Sequence, residues 1–186
     1  MPTEPTPADG RRARAQQTRR KLLAAAIRVV GRDGPGAVTH RAVAAEAGLA
    51  KSLATYHFAS IDDLLVAALV ESTEEYARQV AADLPPDCPL DELAAHLAAF
   101  FDARRHEWLA YYELVLYAAR HPALRTAALA WSQWLREVAR RHTDDPAAVD
   151  AFVSAVDGFG LYALLSDDPL DAPRLAALLA RIVTHP

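Results

Sequence analysis

Lys51, Ser52, Thr55 and Tyr56 place a cation, two hydroxyls and a phenol within six residues, at spacings that a helix turns to one side. Such a face suits hydrogen bonding to base edges and phosphate oxygens. Leu53 stands at its edge, where contact with a thymine methyl and plain packing compete. The preceding residues supply what would hold that face in place. Two short helices locked at a steep angle need a small residue at their closest approach, a turn residue that tolerates left-handed backbone, and apolar inner faces. Ala44 meets the first need and Gly48 the second, while Val43, Ala47, Leu49 and Ala54 meet the third. Thr39 is the expected N-cap of the first helix. Thr39, His40, Ala50, Lys51, Ser52, Leu53, Thr55 and Tyr56 form the candidate nucleic-acid contact set, with Thr39 directed to phosphate. His57 is expected to pack beneath the second helix and Phe58 to be core.

A second concentration of chemistry lies further along. Phe100, Phe101, Trp108, Tyr111, Tyr112, Tyr117, Trp131 and Trp134 fall within 35 residues. Rings with polar tips lining an apolar space are a means of holding small molecules between helices, although rings of this kind also fill ordinary cores. Phe100, Phe101, Trp108, Tyr111, Tyr112, Trp131 and Trp134 are the candidate ligand-binding residues, for a small apolar or amphipathic effector. His96, Arg104, Arg105, Glu113 and Arg120 are candidates to orient a polar group on it.

Catalytic and metal chemistry find no matching pattern. The seven histidines are scattered, no His-Glu-x-x-His occurs, and Ser154 and Ser166 lack a nucleophile-elbow context. One cysteine, Cys88, forms neither an internal disulfide nor a thiolate metal cluster. No cofactor and no enzymatic activity are expected.

The elements that must position these residues are helical throughout. Apolar residues recur at three- to four-residue spacing and no alternating pattern appears, so the chain is expected to be all-α with about nine helices. After a Pro-, Thr- and Ala-rich stretch over residues 1–13, expected to be disordered, a helix begins near Ala15 on the stripe Leu22, Leu23, Ala26, Ile27 and Val30. Gly31, Gly34 and Gly36 are expected to end it. The two short helices follow, and Ser60 caps a long one over residues 60–83. Later helices are expected over residues 90–104, 107–120, 122–141, 146–165 and 173–183. No stretch approaches the ~18 apolar residues of a membrane span, and the first ten residues lack the apolar segment of a secretory signal. A cytoplasmic protein is expected.

Charge divides the chain. The net charge is −4 over 186 residues, yet residues 1–60 carry ten Lys/Arg against four Asp/Glu, or +6, and the rest carry ten against twenty, or −10. A basic head on an acidic body points to a polyanion at the head alone.

The run TRRKLLAAAIRVVGRDGPGAVTHRAVAAEAGLAKSLATYHFASIDDLL resembles the TetR family of one-component regulators over roughly residues 15–70. Closest are the pattern Thr39-x-x-x-Val43-Ala44-x-x-Ala47-Gly48 and the exit Thr55-Tyr56-His57-Phe58 before a capped helix. Asp157-Gly158 looks like the family too. One position departs from it: Ile61 stands where members commonly carry a lysine on phosphate. The resemblance implies a helix-turn-helix DNA-binding domain over residues 14–64 and a helical effector-binding and dimerisation domain over residues 65–186. It further implies a homodimer on a near-palindromic double-stranded DNA operator, with repression relieved by a small molecule; ligand entry among the helices over residues 90–141 is expected to shift the fourth helix. Val149, Phe152, Val156, Leu175, Leu178 and Ile182, on the last two helices, are the expected dimer interface. The rival reading is a helical protein-binding adaptor whose basic head has no specific DNA site.

Overall fold

Alanine and arginine, both strong helix formers, fill the stretch ahead of the first apolar stripe, and the chain is helical there. In the computed structural model, which describes residues 7–85, 88–166 and 168–184, α1 runs Pro7–Asp33. The expected disordered tail is thus helical from Pro7 onward, and residues 1–6 lie outside the described residues. Leu22, Leu23, Ala26, Ile27 and Val30 are all buried, with Ala25 and Val29 beside them.

The three glycines expected to end α1 have separate roles. Gly34 is the stop: its φ is 81°, a left-handed conformation, and its N–H donates to the Val30 carbonyl at 2.8 Å. Gly31 is still helical and serves an approach between helices. A Cβ at Gly31 would lie 2.5 Å from the His106 carbonyl oxygen, so only glycine lets that backbone come so near. Gly36 has open space around it.

A 3-10 turn, Pro35–Ala37, leads to α2 (His40–Glu46) and α3 (Lys51–His57). α4 (Ile61–Asp83) opens on a capping box in which Ser60 Oγ accepts from Asp63 N–H and the Asp63 carboxylate accepts from Ser60 N–H. Then come α5 (Leu90–Ala103), α6 (Arg105–Ala118), the 3-10 turn Pro122–Leu124, α7 (Arg125–Ala128), α8 (Ala130–Ala139), α9 (Pro146–Ala163) and α10 (Ala172–Thr184). The helix expected over residues 122–141 is therefore split, giving ten α-helices among the described residues. The stripe Leu124, Ala127, Ala128, Trp131 and Leu135 is buried on both sides of the break. α1 packs against α2, α3, α4 and α6, while α10 lies on α5 and α9, and α8 on α9. Among the described residues no single helix is long and apolar enough to cross a membrane.

One expectation is corrected. Val149, Phe152, Val156 and Leu175 are at most 3 % exposed within the single chain, so a partner would not touch them. Leu178 and Ile182 are half-buried. α9 is apolar on nearly all sides: its bulky residues enter the chain's own core, and smaller ones, with Leu161, Tyr162 and Leu165, are left outward.

Because the obstacle at Gly31 is backbone, Gly31→Ala is expected to destabilise the fold by about 1–3 kcal/mol, as overpacking does. Denaturant titration measures it, and unchanged stability would mean that α6 can shift freely on α1.

Candidate nucleic-acid interface and ligand site

The local sequence builds the helix-turn-helix in steps. Thr39 Oγ1 accepts from Ala42 N–H at 3.0 Å and starts α2. Gly48, at φ 67°, makes the turn, and Leu49 N–H donates to the Ala44 carbonyl at 2.8 Å. Val43, Ala44, Ala54 and Phe58 are buried, with Ala47 and Leu49 packed against them. The burial of Ala54 alone within α3 leaves one side free. Ala50, Lys51, Ser52 and Thr55 are exposed, Tyr56 is 79 % exposed and Leu53 36 %. Thr55 Oγ1 donates to the Ser52 carbonyl at 3.1 Å. His40 sits less openly than the rest: its Nε2 lies 3.0 Å from the Phe58 carbonyl oxygen and so ties α2 to the end of α3. His57 is half-buried between the Tyr56 and Phe58 rings, and Ile61 packs on the core.

Ion pairs brace this unit. Arg28 Nε and Arg32 Nη1 reach the Glu46 carboxylate at 2.7 and 2.8 Å, joining α1 to the end of α2. Those two guanidinium groups, Arg28 first, hold the Glu46 carboxyl below its ordinary range. Arg19 binds Glu71 of α4 at 3.2 Å, and its guanidinium lies 5.4 Å from the Phe58 ring centre. Arg11, Arg12 and Arg14 are exposed on the first turns of α1.

The candidate ligand residues converge on Trp108. Its ring centroid lies 4.2 Å from Phe101, 4.9 Å from Trp131, 5.3 Å from Tyr111, 6.0 Å from Phe100 and 6.3 Å from Tyr112. Trp134 stacks on Trp131 at 4.9 Å. Tyr117 is apart, stacked on His121. The rings are closed upon one another, and larger surface grooves lie elsewhere. One, of about 820 Å³, sits between α1, α4 and α6 and is lined by Glu71, Glu75, Arg78 and Tyr76 among others.

Two residues join this cluster that its sequence signature did not single out. Tyr76 of α4 lies 5.5 Å from both Phe100 and Trp108 and donates to Glu107 at 2.9 Å. Asp157 of α9 is the second. Its carboxyl is pushed up to about 6 by burial, opposed by the nearby Trp131 indole. Asp157 Oδ1, Trp131 Nε1 and Trp108 Nε1 are all buried; the Trp131 indole is the side chain that favours the ionised Asp157, and Trp108 Nε1 has no hydrogen-bond partner among the described residues. Burial and the Asp157 charge raise the Tyr111 and Tyr112 phenols beyond their ordinary range, and Tyr112 Oη donates to the Asp157 carbonyl at 2.9 Å. The available signal was a carboxylate beside Val153 and Val156 on an apolar face.

The other polar candidates are engaged elsewhere. Arg104 binds Gln79 and Glu107 and lies over Phe100. Arg105 caps α9 through the carbonyls of Ala163, Leu164 and Ser166. His96 Nε2 is 3.7 Å from Asp83, Glu113 Oε2 is buried and unpaired, and Arg120 is exposed. Among the described residues no three His, Cys, Asp or Glu side chains are grouped to hold a metal ion.

Comparison with known proteins agrees with this arrangement. Residues 22–68 match the model of the bacterial regulatory proteins of the tetR family, and residues 89–185 match a tetracyclin repressor-like C-terminal domain. The chain belongs to the tetR family. It thereby carries the helix-turn-helix DNA-binding domain of these regulatory proteins, followed by a helical body that matches the family's C-terminal domain. This tetR-family chain is 40% identical to the multidrug binding protein EbrR, solved with imidazole, at TM-score 0.76 over 90% of this chain and 96% of that one. EbrR was also solved with ethidium, proflavin and malachite green. A TetR-family member from Streptomyces coelicolor A3 is 38% identical, with TM-score 0.79 over 89% of this chain and 97% of that one. The regulator BetI of Brucella suis biovar 1 is 34% identical over 101 residues, covering 50% of this chain and 51% of BetI, so the chain spans about half the length of the curated relatives it matches.

Asp157 makes stability depend on pH in a fixed direction. Its folded carboxyl holds a proton up to about 6 against 3.8 when free, so the folded state binds more protons between those values and stability falls as pH rises through them. At neutral pH the ionised group remains a cost. Asp157→Asn is therefore expected to raise stability by about 2–3 kcal/mol at pH 7.5, with a smaller gain at pH 4.5, as read from guanidinium midpoints at the two pH values.

Proposed function

We propose that the chain binds a near-palindromic double-stranded DNA operator as a homodimer and represses transcription until a small aromatic or amphipathic molecule releases it. The observation that carries this reading is the exposed side of α3, where Lys51, Ser52, Leu53, Thr55 and Tyr56 project from a helix whose other side is fixed by Ala54. In a major groove, α3 presents Lys51 and Ser52 to base edges, with Tyr56 and the N-terminus of α2 at Thr39 on the flanking phosphates. Residues 14–64 act as the head and residues 65–186 as the body. The 40% identity to EbrR, crystallised with planar aromatic dyes, supports a ring-bearing effector at the cluster around Trp108.

One α3 of seven residues reads only a few base pairs. A second copy supplies the other half-site about 34 Å away, one turn of the duplex. The partner face we assign is the outward side of α9 with the turn that follows it: Ala151, Ser154, Gly158, Leu161, Tyr162 and Leu165. Tyr162 and Leu165 are 73 and 78 % exposed in the single chain. Large exposed apolar side chains in one patch are a mark of association. Release follows from α6, which carries Trp108, Tyr111 and Tyr112 on one side and meets α1 at His106 and Ala110 on the other. A molecule that wedges the rings apart moves α6, and through α1 and the expected path along α4 alters the separation of the two heads. It does so only by the difference in its affinity for the two arrangements, typically worth about 1–3 kcal/mol.

Lys51→Ala and Tyr56→Ala are each expected to weaken operator binding about tenfold, a typical scale for losing one DNA contact, with helical circular dichroism unchanged. Fluorescence anisotropy at two salt concentrations reads this, and unaltered affinity in both would remove α3 as the reading helix. The doubly substituted chain Tyr162→Glu, Leu165→Glu is expected to sediment as a folded monomer with no operator binding. A persisting dimer would place the interface on another face.

A further inference from the structure

Between Asp9 and Asp33 the sequence holds no Asp or Glu and eight Lys/Arg. Four of those cations are engaged within the fold: Arg19 and Arg20 with Glu71, Arg28 and Arg32 with Glu46. Arg11, Arg12 and Arg14 reach no carboxylate among the described residues, and Arg14 Nε donates to the Gly10 carbonyl one turn back, at 3.1 Å. Residues 11–17 are all exposed. Such a stretch has no apolar side to bury, and cations near a helix N-terminus run against its dipole. Packing and helix stability therefore do not account for its composition. α1 meets the body at Gly31, beside His106, and passes the end of α2 at Glu46. It then reaches the end of α3 at Phe58, beneath the Arg19 guanidinium, and continues away from α6. At about 1.5 Å per residue, Arg14 and Arg11 stand roughly 8 and 12 Å beyond Arg19. Arg14, Lys21 and Arg28 recur at seven-residue spacing and so share one side of the helix, the side that Arg28 turns toward α2. Lys21 is exposed as well. The row thus runs on past the end of α3 that carries the exposed Tyr56.

We propose that the first turns of α1 are a second DNA-contacting element, laying Arg11, Arg12 and Arg14, with Lys21, on phosphates outside the base pairs that α3 reads. The proposal rests on the reading of α3 as the helix in the major groove and extends the contact to the backbone flanking it. α3 carries a single Lys or Arg, Lys51, so most of the head's phosphate neutralisation falls to other elements. A helical row of guanidinium groups can follow a line of phosphates, since these accept from any donor within reach, whatever the base behind them. Arginine suits the task, because its planar fork meets two phosphate oxygens at once. The contribution is affinity without sequence preference. Counterions released from each neutralised phosphate favour binding to any duplex, and most strongly at low salt. The duplex supplies the charge partner that the fold withholds from these three arginines.

The test uses the full chain and two duplexes of equal length, one selected by the chain from a random library and one of random sequence. Fluorescence anisotropy reads the affinity for each as salt rises. The triple substitution Arg11→Ala, Arg12→Ala, Arg14→Ala keeps good helix formers along α1, and circular dichroism verifies its fold. At roughly 0.9 per phosphate in the slope of log affinity against log salt, two or three contacts are lost. The fall in affinity between about 50 and 200 mM salt is then expected to be about 10- to 40-fold smaller than for the unaltered chain. The change is equal on the two duplexes, whereas Lys51→Ala weakens the selected duplex more than the random one. Arg11→Lys, Arg12→Lys, Arg14→Lys, made together, retain the slope. A slope unchanged by the three alanines overturns the proposal, as does a loss confined to the selected duplex. If the alanines instead abolish binding to vesicles of anionic phospholipid and leave the duplex slope alone, the row serves a membrane surface and the proposal falls. The reading of α3 is decided separately. If Lys51→Ala loses the selected duplex while the triple-alanine chain keeps the full slope, the regulator stands and the flanking contact falls; if selection enriches no duplex, both fall.

Discussion

The approach of α6 to α1 at Gly31 is the contact on which the arrangement of the whole chain depends. Here a helix backbone, at the His106 carbonyl, rests where a side chain would otherwise be. Interiors are packed too densely for such a contact to slide without some other contact yielding. α1 also carries the wall of the head's core, through Leu22, Ala26 and Val30, and the arginines that clamp α2 and α4. One helix is therefore shared between the part that reads and the part that is proposed to sense. Its position relative to α6 fixes both.

Much of the head was legible because its signals are local. Thr39 as N-cap, Gly48 in the turn and Ser60 at the start of α4 each depend on a few neighbouring residues, and the structure places all three as their chemistry suggests. Most of the aromatic residues from Phe100 to Trp134 were legible as a group, Tyr117 on His121 being the exception. What local sequence did not hold was which side of α9 faces which neighbour. Val149, Phe152 and Val156 form an apolar stripe at helical spacing, and such a stripe reads equally well as a partner face or as a core face. Their destination depends on packing against α8 and α10, which the periodicity within α9 does not encode. Gly31 gave no hint either, because a glycine that stops a helix and one that admits a neighbouring backbone look alike in one dimension. The role of Asp157 emerges only when α6, α8 and α9 are brought together.

The body thus carries a contrast between packing and pairing. Trp108 and Trp131 are wholly enclosed, yet the Trp108 indole nitrogen lacks a hydrogen-bond partner among the described residues and the Trp131 indole has the Asp157 carboxylate near it. Unmet polar atoms at a site dense with rings are the kind of local inconsistency that natural chains concentrate where they act. Other polar side chains of the body are well matched: Arg105 satisfies three carbonyls at the end of α9, and Arg104 bridges Gln79 and Glu107, although Glu113 Oε2 and His96 Nε2 have no hydrogen-bond partner among the described residues.

The length of α1 has a mechanical consequence. Gly31 lies near one end of a helix that continues back to Pro7, and at about 1.5 Å per residue Arg12 is roughly 28 Å from it. Pivoting there by roughly 5° would sweep the arginine-bearing end through about 2–3 Å over that arm. The helix would then work as a lever, its fulcrum at Gly31 and its long arm ending in Arg11, Arg12 and Arg14. A movement at the fulcrum too small to disturb the core would arrive at the far end magnified.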